Sequence, residues 1–401
     1  MRHIAVLKNT IQNYSWGSET AIAELLGVAP QPETPQAELW MGAHPKAPSQ
    51  AQVDGRWVSL EVLIEENPEE ILGAPAVEKF GSRLPFLFKV LAAARPLSLQ
   101  AHPSRQQARR GYERENRLGI PLDAANRNYK DDNHKPECIC ALTPFWAMSG
   151  FRGIEQTLQL LDTLDLRGLR DLVKQLRAQP EAAGLKAFFQ SLMTLPDDAK
   201  RKICAEAVAK ALPIGEIEPV FSWMTALAAE YPGDIGILSP VFLNLVELQP
   251  GEAVALPAGQ LHAYLQGVGI ELMANSDNVL RGGLTGKHVD VAELLEVLRF
   301  EPRPVRRLLP EPAAGAERTY ASVFEEFVLS VISVTADTGF TSAAERSAEI
   351  LLCTAGGATI IETGTGQTLP FSRGTSVLVP AAVADYEIAG DATVYKASVP
   401  L

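Results

Sequence analysis

The chain contains six histidines, and three stretches place a histidine or an acid where a metal ligand is wanted. In Ser98-Leu99-Gln100-Ala101-His102-Pro103, Gln100 and His102 are two residues apart. On a strand that spacing sends both side chains to one face and Leu99 and Ala101 to the other. In Asn133-His134-Lys135-Pro136-Glu137, polar groups gather just before the apolar run Cys138-Ile139-Cys140-Ala141-Leu142, which seats Glu137 at the start of a buried strand. His262 follows Pro257 by five residues, at the entry to a further strand. Two imidazoles, a carboxylate and an amide oxygen form a donor set suited to Zn²⁺, with positions left open for water or substrate. Spacing alone leaves a second reading standing, in which Gln100 and His102 are a hydrogen-bonded polar pair on a strand and His262 is a surface residue after a turn.

Positioning such a set calls for strands, and residues 1 to about 150 read as short strands and turns, with recurrent Pro and Gly and apolar runs such as Phe86–Leu91 too short for helices. The texture changes after Phe151-Arg152-Gly153. Leu169, Leu172, Val173 and Leu176 fall at i, i+3, i+4 and i+7, and Leu185, Phe188, Phe189 and Leu192 repeat the spacing, so residues 154 to about 231 are predicted to be a helical insertion. Tyr231-Pro232-Gly233-Asp234 closes it and Phe242–Val246 returns to strand-like sequence. An internal echo links Gly251, Val254, Leu256, Pro257 and Ala258 to Gly374, Val377, Val379, Pro380 and Ala381 at the same offsets. Both copies read as turn, short buried strand and turn, the unit of a double-sheet jelly roll. The offset that lands on His262 in the first copy lands on Asp385, beside Tyr386, in the second, so only the first is expected to hold a metal. The Pro- and charge-rich stretch from Glu301 to Arg318 reads as the linker between two related barrels.

With 401 residues, 46% of them hydrophobic, the chain can bury a large core and is expected to form two to four domains. Its formal charge of -12 has the wrong sign for gripping nucleic acid or an anionic membrane face, although a few local cations can still make one cleft attractive to an anionic substrate. Four cysteines without CxxC spacing argue against a disulfide scaffold or a thiolate zinc finger. Neither a secretory leader nor a spanning segment is evident, which makes a soluble, cytoplasmic protein the default.

Longer strings then converge. Gln100-Ala101-His102-Pro103, Asn128-Tyr129 through Asp132-Asn133-His134-Lys135-Pro136-Glu137, and Pro257 through His262-Ala263-Tyr264 together resemble the type I phosphomannose isomerases. So do Asn13-Tyr14-Ser15-Trp16-Gly17, Glu38-Leu39-Trp40-Met41-Gly42-Ala43-His44-Pro45, and Gly269 through Asn275-Ser276-Asp277-Asn278 to Arg281-Gly282-Gly283-Leu284-Thr285. They run in family order over roughly the first 300 residues. The resemblance implies a mainly β protein of two cupin-like jelly-roll barrels with an inserted α-helical domain. Residues 1–153 with 233–300 would be the zinc-bearing domain, 154–232 the insertion and 301–401 a degenerate second barrel. It further implies reversible isomerisation of mannose 6-phosphate and fructose 6-phosphate through a cis-enediol, with one Zn²⁺ per chain held by Gln100, His102, Glu137 and His262. Arg281 matches the family's essential arginine, and Lys135, Glu271 and Asp277 match positions proposed for proton transfer or ring opening. Ser98 and Lys287 are expected to contact the phosphate. The remaining expectations are a sugar-phosphate substrate, no nucleic-acid or membrane partner, and a monomer. A sugar-phosphate-binding cupin without turnover and a metal-dependent oxygenase on the same fold are the rival readings.

Overall fold

The structure is a computed structural model that describes residues 2–31, 33–321 and 324–400. It is mainly β, built on two large sheets. The spine of the first is the thirteen-residue strand His262–Ala274, which pairs antiparallel with Phe86–Ala93 and, on its other edge, with Phe145–Phe151 and then Glu137–Ala141. A register shift between Tyr264 and Gln266 marks the change of partner. Gly267 sits there at φ +130°, where a Cβ would lie 2.7 Å from the Pro144 carbonyl oxygen, so only glycine lets the strands approach this closely. The second sheet has Glu349–Glu362 and Tyr386–Ser398 as its long pair. In neither sheet does the hydrogen-bonded strand order close on itself among the described residues.

Period-2 alternation assigns each strand two jobs. In Phe86–Ala93 the residues Phe86, Phe88, Val90 and Ala92 face the second sheet, as do Cys138, Cys140, Ile270 and Leu272, and they meet Leu329, Ile350, Leu352, Leu378 and Ala397 in one shared core. The opposite face carries Lys89, Glu137 and Glu271, all buried. The first sheet therefore turns its apolar face to its neighbour and keeps its charged face for itself.

Helices occupy the predicted insertion, at Ile154–Leu164, Arg170–Ala178, Ala182–Met193, Asp197–Ala211 and Pro219–Glu230. Both stripes lie in their core, with Leu169, Leu176, Leu185, Phe188, Phe189 and Leu192 buried and Leu172 and Val173 packed against them. That core also includes Leu99, Ala101, Leu261 and Ala263, the reverse faces of two ligand-bearing segments.

Other helices appear where strands and turns were expected: Leu60–Glu66, Pro68–Leu72, Ala74–Phe80 and Arg105–Arg117. The last has no apolar stripe and buries only Ala108, Gly111 and Glu115; its local signal is the capping box of Ser104 and Gln107. The linker is anchored, because Leu308 exchanges two backbone hydrogen bonds with Ala253 and Glu311–Pro312 joins the second sheet beside Glu317–Tyr320. The N-terminal strand Ala5–Lys8 pairs with Ser376–Val379 of that sheet. No helix among the described residues is long and apolar enough to cross a membrane.

Candidate metal centre

Gln100–Ala101 is a two-residue strand whose outward neighbours Leu99 and Ala101 are fully buried in the helical core, and this fixes which way Gln100 and His102 point. Glu137 follows Pro136 and opens the buried strand Glu137–Ala141, on the face shared with Ile139 and Ala141. Its backbone partner is Leu256, just before the turn that delivers His262. Ligand atoms of His102, Glu137 and His262 lie within 4.8 Å of one another, with all three residues buried.

The hydrogen bonds around them fix the chemistry. His102 Nδ1 is 2.7 Å from the Asn278 carbonyl oxygen, and His262 Nδ1 is 2.9 Å from that of Gln260. A carbonyl only accepts, so each Nδ1 carries the proton and each Nε2 presents a lone pair. Those Nε2 atoms sit 3.1 and 3.4 Å from the two oxygens of Glu137. His102 Nε2 is buried and makes no hydrogen bond to any described residue, which leaves a lone pair facing a carboxylate across a gap. Burial lowers the His102 pKa to about 4, so the ring is neutral at pH 7. Burial also pushes Glu137 upward, but the Lys135 ammonium at 2.9 Å holds it well below the usual carboxylate range. Gln100 is the strand partner of both His262 and Arg281, and its amide nitrogen donates weakly to Ser98 Oγ at 3.4 Å. Two oriented imidazoles and an ionised carboxylate fit one metal ion.

Residues 4–154 match the family described as phosphomannose isomerase type I, catalytic domain, and residues 316–398 match the mannose-6-phosphate isomerase cupin domain. The mannose-6-phosphate isomerase of Salmonella typhimurium is 45% identical over 358 residues, 88% of this chain and 89% of its own length. That of Escherichia coli is 43% identical over 379 residues, 94% of each. The chain belongs to the type I phosphomannose isomerase family. A solved mannose 6-phosphate isomerase bound with zinc and yttrium matches the fold with a TM-score of 0.92 at 39% identity, over 99% of this chain and 100% of that one.

As in any type I phosphomannose isomerase, the substrate has to reach groups beside the metal, and the structure places the remaining expected residues unequally. Lys135 is ion-paired with Glu137. Glu271 is 3% exposed and 2.9 Å from the Lys89 ammonium; burial raises its pKa, against the pull of Lys89. Asp277 pairs with Lys46 at 2.8 Å and lies 3.7 Å from His44; Lys46 and His44 lower its pKa against the effect of burial. Arg281 is half-buried with no ion pair among the described residues. Ser98 is partly buried beside Gln100, whereas Lys287 is exposed. Burial lowers the pKa of Lys287, and Arg281 and Lys130 reinforce the shift, so three cations share one region. Gly282 and Gly283, which follow Arg281, are needed for packing. A Cβ on Gly282 would sit 3.1 Å from Leu261, and one on Gly283, at φ +125°, 3.1 Å from Asp234.

Three groups escaped the sequence reading. Lys130 had no motif of its own. Lys89, 3.6 Å from Glu38 and 5.3 Å from the Trp40 ring, stands inside an apolar strand with no acid near it in sequence. Asn278, fully buried, joins two turns: its side chain accepts from the amide of Lys130 at 2.7 Å and donates to the carbonyls of Asp131 and Asn133 at 2.8 Å. It lay inside a quoted motif, where being an Asn in a run of turn residues was the available signal.

Proposed function

We propose that this chain interconverts mannose 6-phosphate and fructose 6-phosphate, holding one Zn²⁺ with Gln100, His102, Glu137 and His262. The observation that carries the reading is the pair of imidazoles turned by backbone carbonyls so that both Nε2 lone pairs face one ionised, buried carboxylate. When bound, zinc supplies Lewis acidity that draws electron density from the sugar's carbonyl oxygen. The chain's own residues do the rest. Arg281, without a carboxylate partner among the described residues, and Lys287 are assigned to the anionic substrate, with Ser98 beside Gln100 as a further phosphate contact. Glu271, pushed towards neutrality by burial, is suited to carrying the proton between C1 and C2. Lys135, oriented by Glu137, is assigned to donate a proton to a sugar oxygen, and Asp277 to assist ring opening. A binder without turnover has no use for this set of proton-transfer groups.

The same reading takes residues 1–153 with 233–300 as the catalytic cupin-like jelly roll, 154–232 as the insertion and 301–401 as a second jelly roll that borrows strand Ala5–Lys8. Four buried free cysteines suit a reducing cytoplasm, where the enzyme is proposed to act as a monomer. Zinc quantification alongside a coupled assay for fructose 6-phosphate formation tests the activity; zinc-loaded protein that converts no mannose 6-phosphate refutes it. Arg281→Ala is expected to lower kcat by about a hundredfold or more while retaining zinc.

A further inference from the structure

Glu326 lies outside every motif considered above, in the irregular segment before strand Val328–Val334, yet it is only 2% exposed. Its Oε1 is 2.6 Å from His134 Nε2 and also accepts from the Arg105 guanidinium. The two partners come from different turns. Arg105 begins helix Arg105–Arg117, three residues after His102, and His134 stands three residues before Glu137. One carboxylate from the C-terminal part of the chain therefore ties the segment leaving one metal ligand to the segment entering another.

The tie is stiff at both ends. The capping box at Ser104 and Gln107 fixes the first turn of the helix, so movement at Arg105 is passed on rather than lost in fraying. Between His134 and Glu137 stand only Lys135 and the rigid Pro136. Arg105 Nη2 and His134 Nε2 are 3.0 Å apart, a contact between two donors that a shared acceptor reconciles. Glu326 is that acceptor. Burial alone would raise its pKa, but His134 and Arg105 keep it ionised below the usual range.

We propose that Glu326 is a positioning residue for the metal centre: by clamping Arg105 and His134 it holds the turns carrying His102 and Glu137 at the separation that zinc retention requires. The segment leading into the second sheet thereby governs how tightly the first sheet holds its ion. This rests on the assignment of His102, Glu137 and His262 as zinc ligands.

The test uses the full chain with Glu326→Ala, Glu326→Gln and Arg105→Gln, the last at a side chain 39% exposed. Zinc affinity is measured by competition with a chromophoric chelator, kcat and KM for mannose 6-phosphate at saturating zinc, and folding by urea titration. Glu326→Ala is expected to weaken zinc binding about tenfold. It should lower kcat at saturating zinc while KM stays within about twofold. Glu326→Gln, which keeps an acceptor oxygen, should recover most of the zinc affinity, a rescue that generic loss of stability does not predict. Arg105→Gln should shift zinc affinity in the same direction and add little to Glu326→Ala. Unchanged zinc affinity in all three variants, or full additivity in the double variant, overturns the proposal. Should Glu326→Ala fail to fold, Glu326→Gln and Arg105→Gln decide it. A parent chain that binds no zinc would refute the ligand assignment itself, a result distinct from zinc-binding variants that match the parent.

Discussion

The two sheets each bury a glutamate at the same place in their pattern and neutralise it by different means. Glu137 opens its strand opposite Leu256, the residue before Pro257; Glu349 opens its strand opposite Val379, the residue before Pro380. Each carboxylate accepts from a tyrosine hydroxyl, Tyr264 at 3.3 Å and Tyr386 at 2.9 Å. Two residues further along each strand the cross-strand partners differ: Ile139 faces Glu271, and Leu351 faces Lys396. In the second sheet the Lys396 ammonium sits 3.0 Å from Glu349 and 2.8 Å from Glu317, so the chain supplies its own cation. In the first sheet the corresponding position holds Glu271, matched by Lys89 one strand over, and Glu137 faces two imidazole lone pairs in addition to the Lys135 ammonium at 2.9 Å. A buried carboxylate has to be matched by positive charge. Both acids have a lysine, and what distinguishes Glu137 is the pair of imidazole lone pairs aimed at the same carboxylate, which suits that site to a metal.

The largest effect should come from removing a lone pair. His262→Ala is expected to take zinc content from about one per chain to near zero and to cut isomerase activity by roughly a thousandfold or more. Metal analysis with the coupled assay reads both, and retained zinc would break the contrast. Lys396→Ala leaves Glu349 and Glu317 facing each other and should cost about 3–5 kcal/mol of stability in urea unfolding. Zinc content should be unchanged, and adding Glu349→Gln should restore much of the loss; a variant as stable as the parent would show that Lys396 is not the neutralising cation.

A smaller effect concerns acid. In chelator-stripped protein the His102 pKa is lowered from 6.5 to about 4, so the unfolded chain binds a proton over a range in which the folded chain does not. The stability from keeping this ring neutral is present in full above pH 6.5 and is lost as pH falls through about 4. Urea midpoints against pH, compared with a His102→Gln variant, should show that slope diminished in the variant. The smallest expected effect is none: Asp385→His, which restores the imidazole offset in the second sheet, should add no second zinc, because Lys396 already serves Glu349. A second equivalent of bound zinc would overturn the comparison.

Period and punctuation made the ligand segments and the helical insertion legible, because a two-residue alternation at Gln100 and His102 and a four-position stripe at Leu185–Leu192 are local signals. The polar face of the first sheet was not legible. Lys89 is matched by Glu38 and Glu271, which lie far from it in the chain, and nothing near Lys89 announces either. Helix Arg105–Arg117 was missed because its stability comes from its cap and from Gly111 packing against the Tyr129 ring, not from an apolar stripe. Glu326 has meaning only through two turns about 190 and 220 residues earlier.

Strand Ala5–Lys8 carries a consequence for synthesis. Its neighbour Ser376–Val379 lies about 370 residues later in the chain. At a translation rate of about 5–20 residues per second, the first strand waits roughly 20 to 75 seconds on the ribosome for that partner to exist. During that time an edge of unpaired amides and carbonyls is open to wrong partners, so nascent chains should rely on chaperones until the last strands emerge.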